Sequence, residues 1–125
     1  MGYRSDARLL FYCDEGDMNY AALKLWVQEN MADELENMEE FKHGQSKGFV
    51  FEWESVKWYE GYPDIDKIED AIDRFAELFD AKREEGMPDF SYEFVRIGEN
   101  DDDTEVRQSS NCDYLLHVSR SIQWN

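Results

Sequence analysis

The segment from Asp64 to Glu85 carries two opposed stripes of side chains, which constrain the fold more than any other feature of the chain. One stripe is apolar and consists of Ile65, Ile68, Ile72, Phe75 and Phe79. The other is acidic and consists of Asp66, Asp70, Asp73, Glu77, Asp80 and Glu84. Both stripes step by three or four residues, the period of an α-helix with one buried face. The sequence predicts a helix that starts after an N-cap at Asp64 and ends near Glu85.

A second helix is predicted from about Asn19 to Met38. Its apolar stripe is Tyr20, Leu23, Val27, Met31, Leu35 and Met38, and its outer side carries Glu29, Asp33, Glu36 and Glu40. If the two helices pack side by side, their acidic rows join, with carboxylates roughly every 4.5–6 Å along each axis. Like charges at this spacing destabilise a helix by about 0.2–0.5 kcal/mol per pair. Folding alone therefore does not favour the pattern.

The remaining segments read as strands. Residues 7–13 are apolar on both sides and predict a strand near the middle of a sheet. Residues 41–60 predict a hairpin that turns at 43–48, with a bulge near Ser55, and further strands are predicted at 91–98 and 106–108. Residues 114–124 alternate, with one face formed by Tyr114, Leu116, Val118, Ile122 and Trp124. We expect one α+β domain over 1–125, an antiparallel or mixed sheet of four to five strands with two helices packed on one face.

Composition limits the classes of partner. The chain has 30 acidic and 13 basic residues, a net charge of −17, yet 42% of its residues are hydrophobic and 15% aromatic. This apolar content is typical of a folding domain, not of a disordered acidic tail. Nucleic acid is a poor direct partner because its phosphates would be repelled, and an anionic membrane surface is a poor partner for the same reason.

The charge also predicts a salt effect on stability. Repulsion among the excess carboxylates weakens the compact state, and dissolved ions screen that repulsion. Added salt should therefore raise the melting temperature, which a thermal unfolding series from low to moderate salt would measure. An unchanged melting temperature would contradict the prediction.

Cellular location is predicted from apolar runs and cysteines. The apolar run from Leu9 to Cys13 is too short for the core of a signal peptide, and no stretch reaches the roughly 18 apolar residues that suggest a membrane helix. Cys13 and Cys112 form no disulfide framework and are expected to be reduced thiols. We therefore expect a cytoplasmic protein.

No pattern of catalytic or metal-binding residues is present. The acidic run at 99–105 lacks the central glycine and the terminal glutamate spacing of a calcium loop. His43 and His117 belong to no zinc motif, and the chain has no nucleophile elbow or phosphate-binding glycine loop. A pair of Cys or Ser with His stays open, because such pairs assemble in space. We expect a protein that is not an enzyme and has no metal or cofactor.

Aromatic residues offer a second kind of binding surface. Val56 to Tyr59 end a predicted strand next to a turn, so Trp58 and Tyr59 are the aromatics expected to be exposed. Exposed aromatic rings are common anchors of protein interfaces.

Several segments resemble a group of small acidic proteins encoded by bacteriophages and prophages. The segments are MetGlyTyrArgSer (1–5), ValLysTrpTyrGluGlyTyrPro (56–63), PheValArgIleGlyGlu (94–99) and ValSerArgSerIle (118–122). They are distinctive as a set and span most of the chain. The resemblance implies a phage-type protein acting in the cytoplasm of a bacterial host, and it carries over no site residues. By association it implies action against restriction or CRISPR defence.

Two functions are therefore predicted. In the first, the protein inhibits a host defence complex by placing carboxylates where the basic groove of that complex binds nucleic acid. The acidic residues expected to carry this contact are Glu29, Asp33, Glu36, Asp66, Asp70, Asp73, Glu77 and Asp80. In the second, an adaptor or regulator binds protein through an aromatic patch at Trp58 and Tyr59, and the charge serves only solubility.

Overall fold

A five-stranded antiparallel sheet forms the centre of the molecule. The computed structural model describes residues 3–14, 19–59, 61–81, 89–100, 102–118 and 121–125. The sheet strands are β1 (Ser5–Asp14), β2 (Glu39–His43), β3 (Ser46–Val56), β4 (Ser91–Ile97) and β5 (Thr104–Gln108). They lie in the order β2-β3-β1-β4-β5, and each neighbouring pair is antiparallel. The predicted α+β fold and strand number are confirmed.

The most apolar strand occupies the middle position. β1 pairs with β3 on one side and with β4 on the other, and Leu9, Leu10 and Phe11 are fully buried. A strand covered on both faces needs apolar side chains of both parities, and residues 7–13 supply them. The predicted bulge is present: Ser55 has a φ of 52°, and the β1–β3 register shifts between Ser5 and Ala7.

Both helices pack on one face of the sheet, as predicted. Helix α1 (Tyr20–Asn30) contributes buried Leu23 and Val27, and helix α2 (Pro63–Ala76) contributes its apolar stripe. These side chains share one core with the helix-facing residues of β1, β3 and β4. Trp26 of α1 and Phe75 of α2 meet edge to face, with ring centroids 5.0 Å apart. The apolar stripes are thus what set the two helices side by side.

The helix boundaries differ from those predicted. α1 ends at Asn30, and a 3₁₀ segment (Ala32–Asn37) replaces the predicted continuation to Met38. The Asn30 side chain donates to the Trp26 carbonyl at 2.9 Å, a local hydrogen bond typical of a helix end. α2 begins with Pro63 at its first position, so Tyr62 occupies the N-cap position predicted for Asp64. A π-helical turn (Glu77–Ala81) follows α2, and the predicted stop near Glu85 and the acidic Glu84 lie outside the described residues.

The other face of the sheet is covered by the C-terminal segment. Residues 114–124 are not one strand as predicted, because β6 (Leu116–Val118) and β7 (Ile122–Trp124) form a hairpin. Tyr114 does not share the buried face; it is 60% exposed and has a φ of 53°. The second core contains Leu10, Tyr12, Val50, Val95, Leu115 and Leu116, with Trp124 packed at its edge.

A buried carboxylate fixes this C-terminal segment. Glu93 of β4 is only 2% exposed, and its Oε2 accepts from the Tyr12 hydroxyl at 2.5 Å and from the Leu115 amide at 2.9 Å. Its Oε1 accepts from the Leu116 amide at 3.1 Å. The Tyr12 hydroxyl also accepts from the Asp113 amide at 2.8 Å. Burial, and then the bond to Glu93, raise the pKa of Tyr12 far above its ordinary value, so the phenol stays protonated as a donor.

Candidate protein-binding surface

A groove of about 300 Å³ lies where α1 and the 3₁₀ segment face α2. Met31 and Ile68 are its buried apolar residues. Its acidic residues come from both sides and are Glu29, Asp33, Glu34, Asp64 and Asp70. Lys67 and Arg74 are the cationic residues that line it. The groove therefore combines an apolar base with an excess of negative charge.

Two polar bridges cross the groove and connect its walls. Lys67 Nζ of α2 lies 2.6 Å from Asp33 Oδ2 of the 3₁₀ segment, and this carboxylate raises the pKa of the lysine. Arg74 Nε of α2 donates to Asn30 Oδ1 at 2.9 Å. Both bridges are exposed, so each contributes little to stability.

Glu34 differs from the other carboxylates of the groove because it is half-buried. Burial raises its pKa, since removal from water disfavours the charged form, and a 3.3 Å hydrogen bond from Trp53 Nε1 offsets part of that effect. Glu34 is thus tied to the sheet, whereas Glu29, Asp33, Asp64 and Asp70 are exposed.

The structure divides the predicted acidic rows into separate parts. Glu29, Asp33 and Asp70 line the groove, and Glu36 is exposed on the 3₁₀ segment. Asp73 instead forms an ion pair with Arg107 of β5 at 2.5 Å, and Asp80 accepts from the Ser110 hydroxyl at 2.5 Å. Asp66 accepts from the Gly61 amide at 3.0 Å, and Glu77 is exposed in the π-helical turn. Three of the eight predicted acidic residues thus line the interhelical groove.

The groove also contains residues that the sequence did not single out. Glu34, Asp64, Lys67 and Arg74 line it together with the predicted carboxylates. Asp64, Lys67 and Arg74 follow helical spacing along one side of α2, whereas Asp66, Asp73 and Asp80 follow the other side. That spacing was the available signal, but it does not show which side faces α1.

The two residues of the predicted aromatic patch, Trp58 and Tyr59, are less exposed than predicted. Trp58 is only 9% exposed and belongs to the core, with its ring centroid 5.6 Å from that of Phe94. The expected exposure of Trp58 is therefore wrong, because its ring packs against Trp53 of β3 and Phe94 of β4. Tyr59 is half-buried and contacts the ring of Tyr62, which is 47% exposed.

The acidic loop between β4 and β5 is held by one arginine. Arg96 donates to Asp103 through Nη2 at 2.9 Å and Nη1 at 3.2 Å, and to Glu105 through Nε at 3.2 Å. The Tyr3 hydroxyl also donates to Asp103, at 2.7 Å. Among the residues that the structure describes, no group of histidine, cysteine and acidic side chains is arranged to hold a metal ion.

This arrangement predicts an acid-dependent loss of stability. The hydrogen bonds from Arg96, and then from Tyr3, hold the pKa of Asp103 below its ordinary value of 3.8. The stability that ionised Asp103 contributes is therefore fully present above that value and is lost as the pH falls through the lower folded-state pKa. In denaturant titrations from about pH 5 to pH 2, the difference in unfolding free energy between wild type and Arg96→Met should shrink. A difference independent of pH would contradict this.

Cysteine and histidine positions bear on the enzymatic alternative. Cys13 and Cys112 are both buried and form no disulfide with each other. His43 lies 2.7 Å from the Asn125 carbonyl through Nε2 and stacks on Trp124. His117 is exposed on β6. The contacts of His43 are thus with the C-terminal hairpin.

Comparison with known proteins adds no relative: no protein-family model, no curated protein and no solved structure matches the chain. Within the described ranges, every helix is too short or too polar to cross a membrane.

Proposed function

We propose that this protein is a non-enzymatic, phage-type inhibitor that binds the basic nucleic-acid-binding groove of a host restriction or CRISPR complex. Its acidic surface would occupy the site without contacting nucleic acid, in the bacterial cytoplasm. The phage origin is supported by the resemblance of its segments at 1–5, 56–63, 94–99 and 118–122 to small acidic proteins encoded by bacteriophages and prophages. The mode of binding is supported by the distribution of charge.

The observation that carries the proposal is the meeting of carboxylates from two helices in one groove. Glu29 and Asp33 come from one wall and Asp64 and Asp70 from the other, and all four are exposed. Lysine and arginine side chains that normally bind phosphates would meet exposed carboxylates here. The net charge of −17 would add long-range attraction for a basic partner and accelerate its association.

The ion pairs narrow the proposed surface relative to the sequence prediction. Asp73 already has a cationic partner in Arg107, so the side of α2 that faces β5 offers less uncompensated charge. Asp33 also has a partner, Lys67, but both side chains are largely exposed and could exchange partners at low cost. The groove and the exposed Glu36 are therefore the centre of the proposed contact.

Affinity capture from a bacterial lysate at low salt, followed by elution with salt, tests the proposal. The expected eluate contains a nucleic-acid-binding protein whose retention is abolished by added duplex DNA, because DNA and this chain would compete for one basic site. Retention of proteins that DNA does not displace would contradict the proposal. A small protein without an acidic surface serves as the control bait.

A second candidate is an adaptor or regulator that binds protein through aromatic residues, with the charge serving only solubility. The exposure of Tyr62 beside Tyr59 favours it, at a position next to the start of α2. The affinity of binding through this patch would change little with ionic strength, whereas the affinity of binding through carboxylates would fall as ionic strength rises. Replacing Tyr62 with serine would abolish binding only in this second case.

A further inference from the structure

We propose that the outer edge of β5 pairs with the same edge of a second copy of this chain, which joins two sheets into one antiparallel sheet. β5 ends the strand order, and among the described strands none lies beyond it. Thr104, Val106 and Gln108 are exposed on this strand. An exposed edge presents unpaired N–H and C=O groups to another chain. β5 does not line the acidic groove, so the proposal is independent of the proposed function.

The hydrogen bonds that flank the β4–β5 ladder show which backbone groups of β5 point outward. The Gly98 amide donates to the Asp103 carbonyl at 2.8 Å, and the Ser109 amide donates to the Tyr92 carbonyl at 3.0 Å. Hydrogen-bonded and non-hydrogen-bonded pairs alternate along an antiparallel ladder, so every second residue of β5 turns its amide and carbonyl toward β4. The residues whose amides and carbonyls point away from β4 are therefore Thr104, Val106 and Gln108.

The sequence of β5 is complementary to itself. In an antiparallel pair centred on Val106, this residue lies opposite its own copy, and Thr104 lies opposite Gln108 of the partner subunit. These are the hydrogen-bonded pairs. Glu105 lies opposite Arg107 of the partner subunit, and the two-fold symmetry repeats this pair. It is a non-hydrogen-bonded pair, with Cα atoms only about 4.5 Å apart, so the opposite charges meet where side chains are closest.

The side chains of β5 are accessible on both faces of the strand. Glu105 and Arg107 lie on the face of α2, since Arg107 pairs with Asp73, and their side chains stay 38% and 29% exposed. Val106 lies on the other face, opposite Val95 of the second core, and is 53% exposed. Two copies of Val106 side by side would cover part of this apolar surface.

Net charge limits the strength of this association. Each copy has a net charge of −17, so two copies repel each other at low salt. A five-residue edge also forms a smaller interface than the roughly 1,200 Å² of stable complexes. We expect a dissociation constant on the order of 0.1 mM at moderate salt. Salt should strengthen the dimer but weaken binding to a basic partner, so the two proposals fail separately.

Sedimentation equilibrium and amide hydrogen exchange test the proposal together. Across concentrations that span the expected constant, the mass should rise from that of a monomer to that of a dimer. Exchange at the outward amides of Thr104, Val106 and Gln108 should then slow several-fold, while the amides of Glu105 and Arg107, which face β4, should not change. A chain that stays monomeric, or a dimer without this alternation, would overturn the proposal.

Variants of Val106 test the edge itself. Val106→Pro removes the central outward amide but leaves the β4–β5 ladder, because a strand tolerates proline where its N–H faces solvent. It should weaken dimerisation by at least about tenfold. Val106→Thr keeps the amide and the branched shape and should weaken dimerisation by no more than about threefold. Equal dimerisation of the two variants would overturn the interface; if Val106→Pro does not fold, the exchange pattern of the unchanged protein decides.

Neutralisation of Glu105 tests the charge pairing. Glu105→Gln should weaken dimerisation by roughly three- to tenfold, because the variant loses both symmetric pairs with Arg107. Asp102→Asn makes the same change in net charge at an exposed position outside β5 and should not weaken it. If Glu105→Gln dimerises as well as Asp102→Asn does, the proposed register is wrong.

Discussion

Replacing Glu93 with alanine is expected to lower the free energy of unfolding by about 3–5 kcal/mol, the largest stability effect that this fold predicts for one polar side chain. The carboxylate receives hydrogen bonds from the Tyr12 hydroxyl and from the amides of Leu115 and Leu116, all of them buried. Alanine would leave these donors in a dry interior without acceptors. Chemical denaturation followed by tryptophan fluorescence measures the change.

A matched control separates this effect from the loss of a negative charge. Glu36→Ala removes a carboxylate of the same kind from an exposed position and should change stability by less than about 0.5 kcal/mol. Tyr12→Phe should cost about 1–3 kcal/mol, since it removes the donor to Glu93 and the acceptor for the Asp113 amide. In both Glu93→Ala and Tyr12→Phe, hydrogen exchange at Leu115 and Leu116 should accelerate. Equal stability of Glu93→Ala and Glu36→Ala would show that Glu93 does not hold the C-terminal hairpin.

Charge reversal in the groove is expected to have the largest effect on binding. The double variant Glu29→Lys with Asp70→Lys replaces two exposed carboxylates, one on each wall, and should weaken partner binding by at least about 100-fold. Stability should change little, because neither side chain is buried. Quantitative capture of the partner from lysate, followed by affinity measurement with the purified partner, gives the ratio.

The control for this variant has the same change in net charge at other exposed positions. Glu54→Lys with Asp102→Lys lies outside the groove and should weaken binding by no more than about tenfold, through slower association alone. If both double variants lose affinity equally, total charge matters and the groove has no special role. If neither loses affinity, the aromatic alternative is favoured.

The fold was largely predictable because its signals are local. The two stripes of residues 64–85 place α2 on the sheet, and the doubly apolar run at 7–13 places β1 in its centre. The end of α1 at Asn30 was not predictable from the stripe, since Leu35 continues the period yet is exposed. Periodicity shows which residues can be buried in a helix, and tertiary contacts decide where the helix stops.

The contacts between Glu93 and the C-terminal segment could not be predicted from the sequence, for a different reason. Glu93 lies between the apolar residues Tyr92 and Phe94, and a glutamate at such a position indicates a solvent-facing side. Only the return of the chain at Leu115 and Leu116 gives that carboxylate its donors. Contacts between residues this far apart in sequence leave no local pattern.

The acidic rows illustrate the same limit. The sequence shows the acidic rows but not the cationic side chains that pair with them. Arg107 of β5 pairs with Asp73, and Lys67 of α2 pairs with Asp33 of the 3₁₀ segment. A helix that lies between two neighbouring elements directs some side chains of its outer face toward each of them, as α2 does toward β5 and toward the groove. The groove therefore contains fewer of the predicted carboxylates than the surface expected from the sequence, namely Glu29, Asp33 and Asp70.

The most direct test of the central claim is the salt dependence of the affinity between this protein and the purified partner. If carboxylates of the groove replace phosphates, the affinity should fall steeply as the salt concentration rises, and the Glu29→Lys, Asp70→Lys variant should show a much shallower dependence. An affinity that stays constant with salt, or a slope that the groove variant leaves unchanged, would contradict binding through this acidic surface.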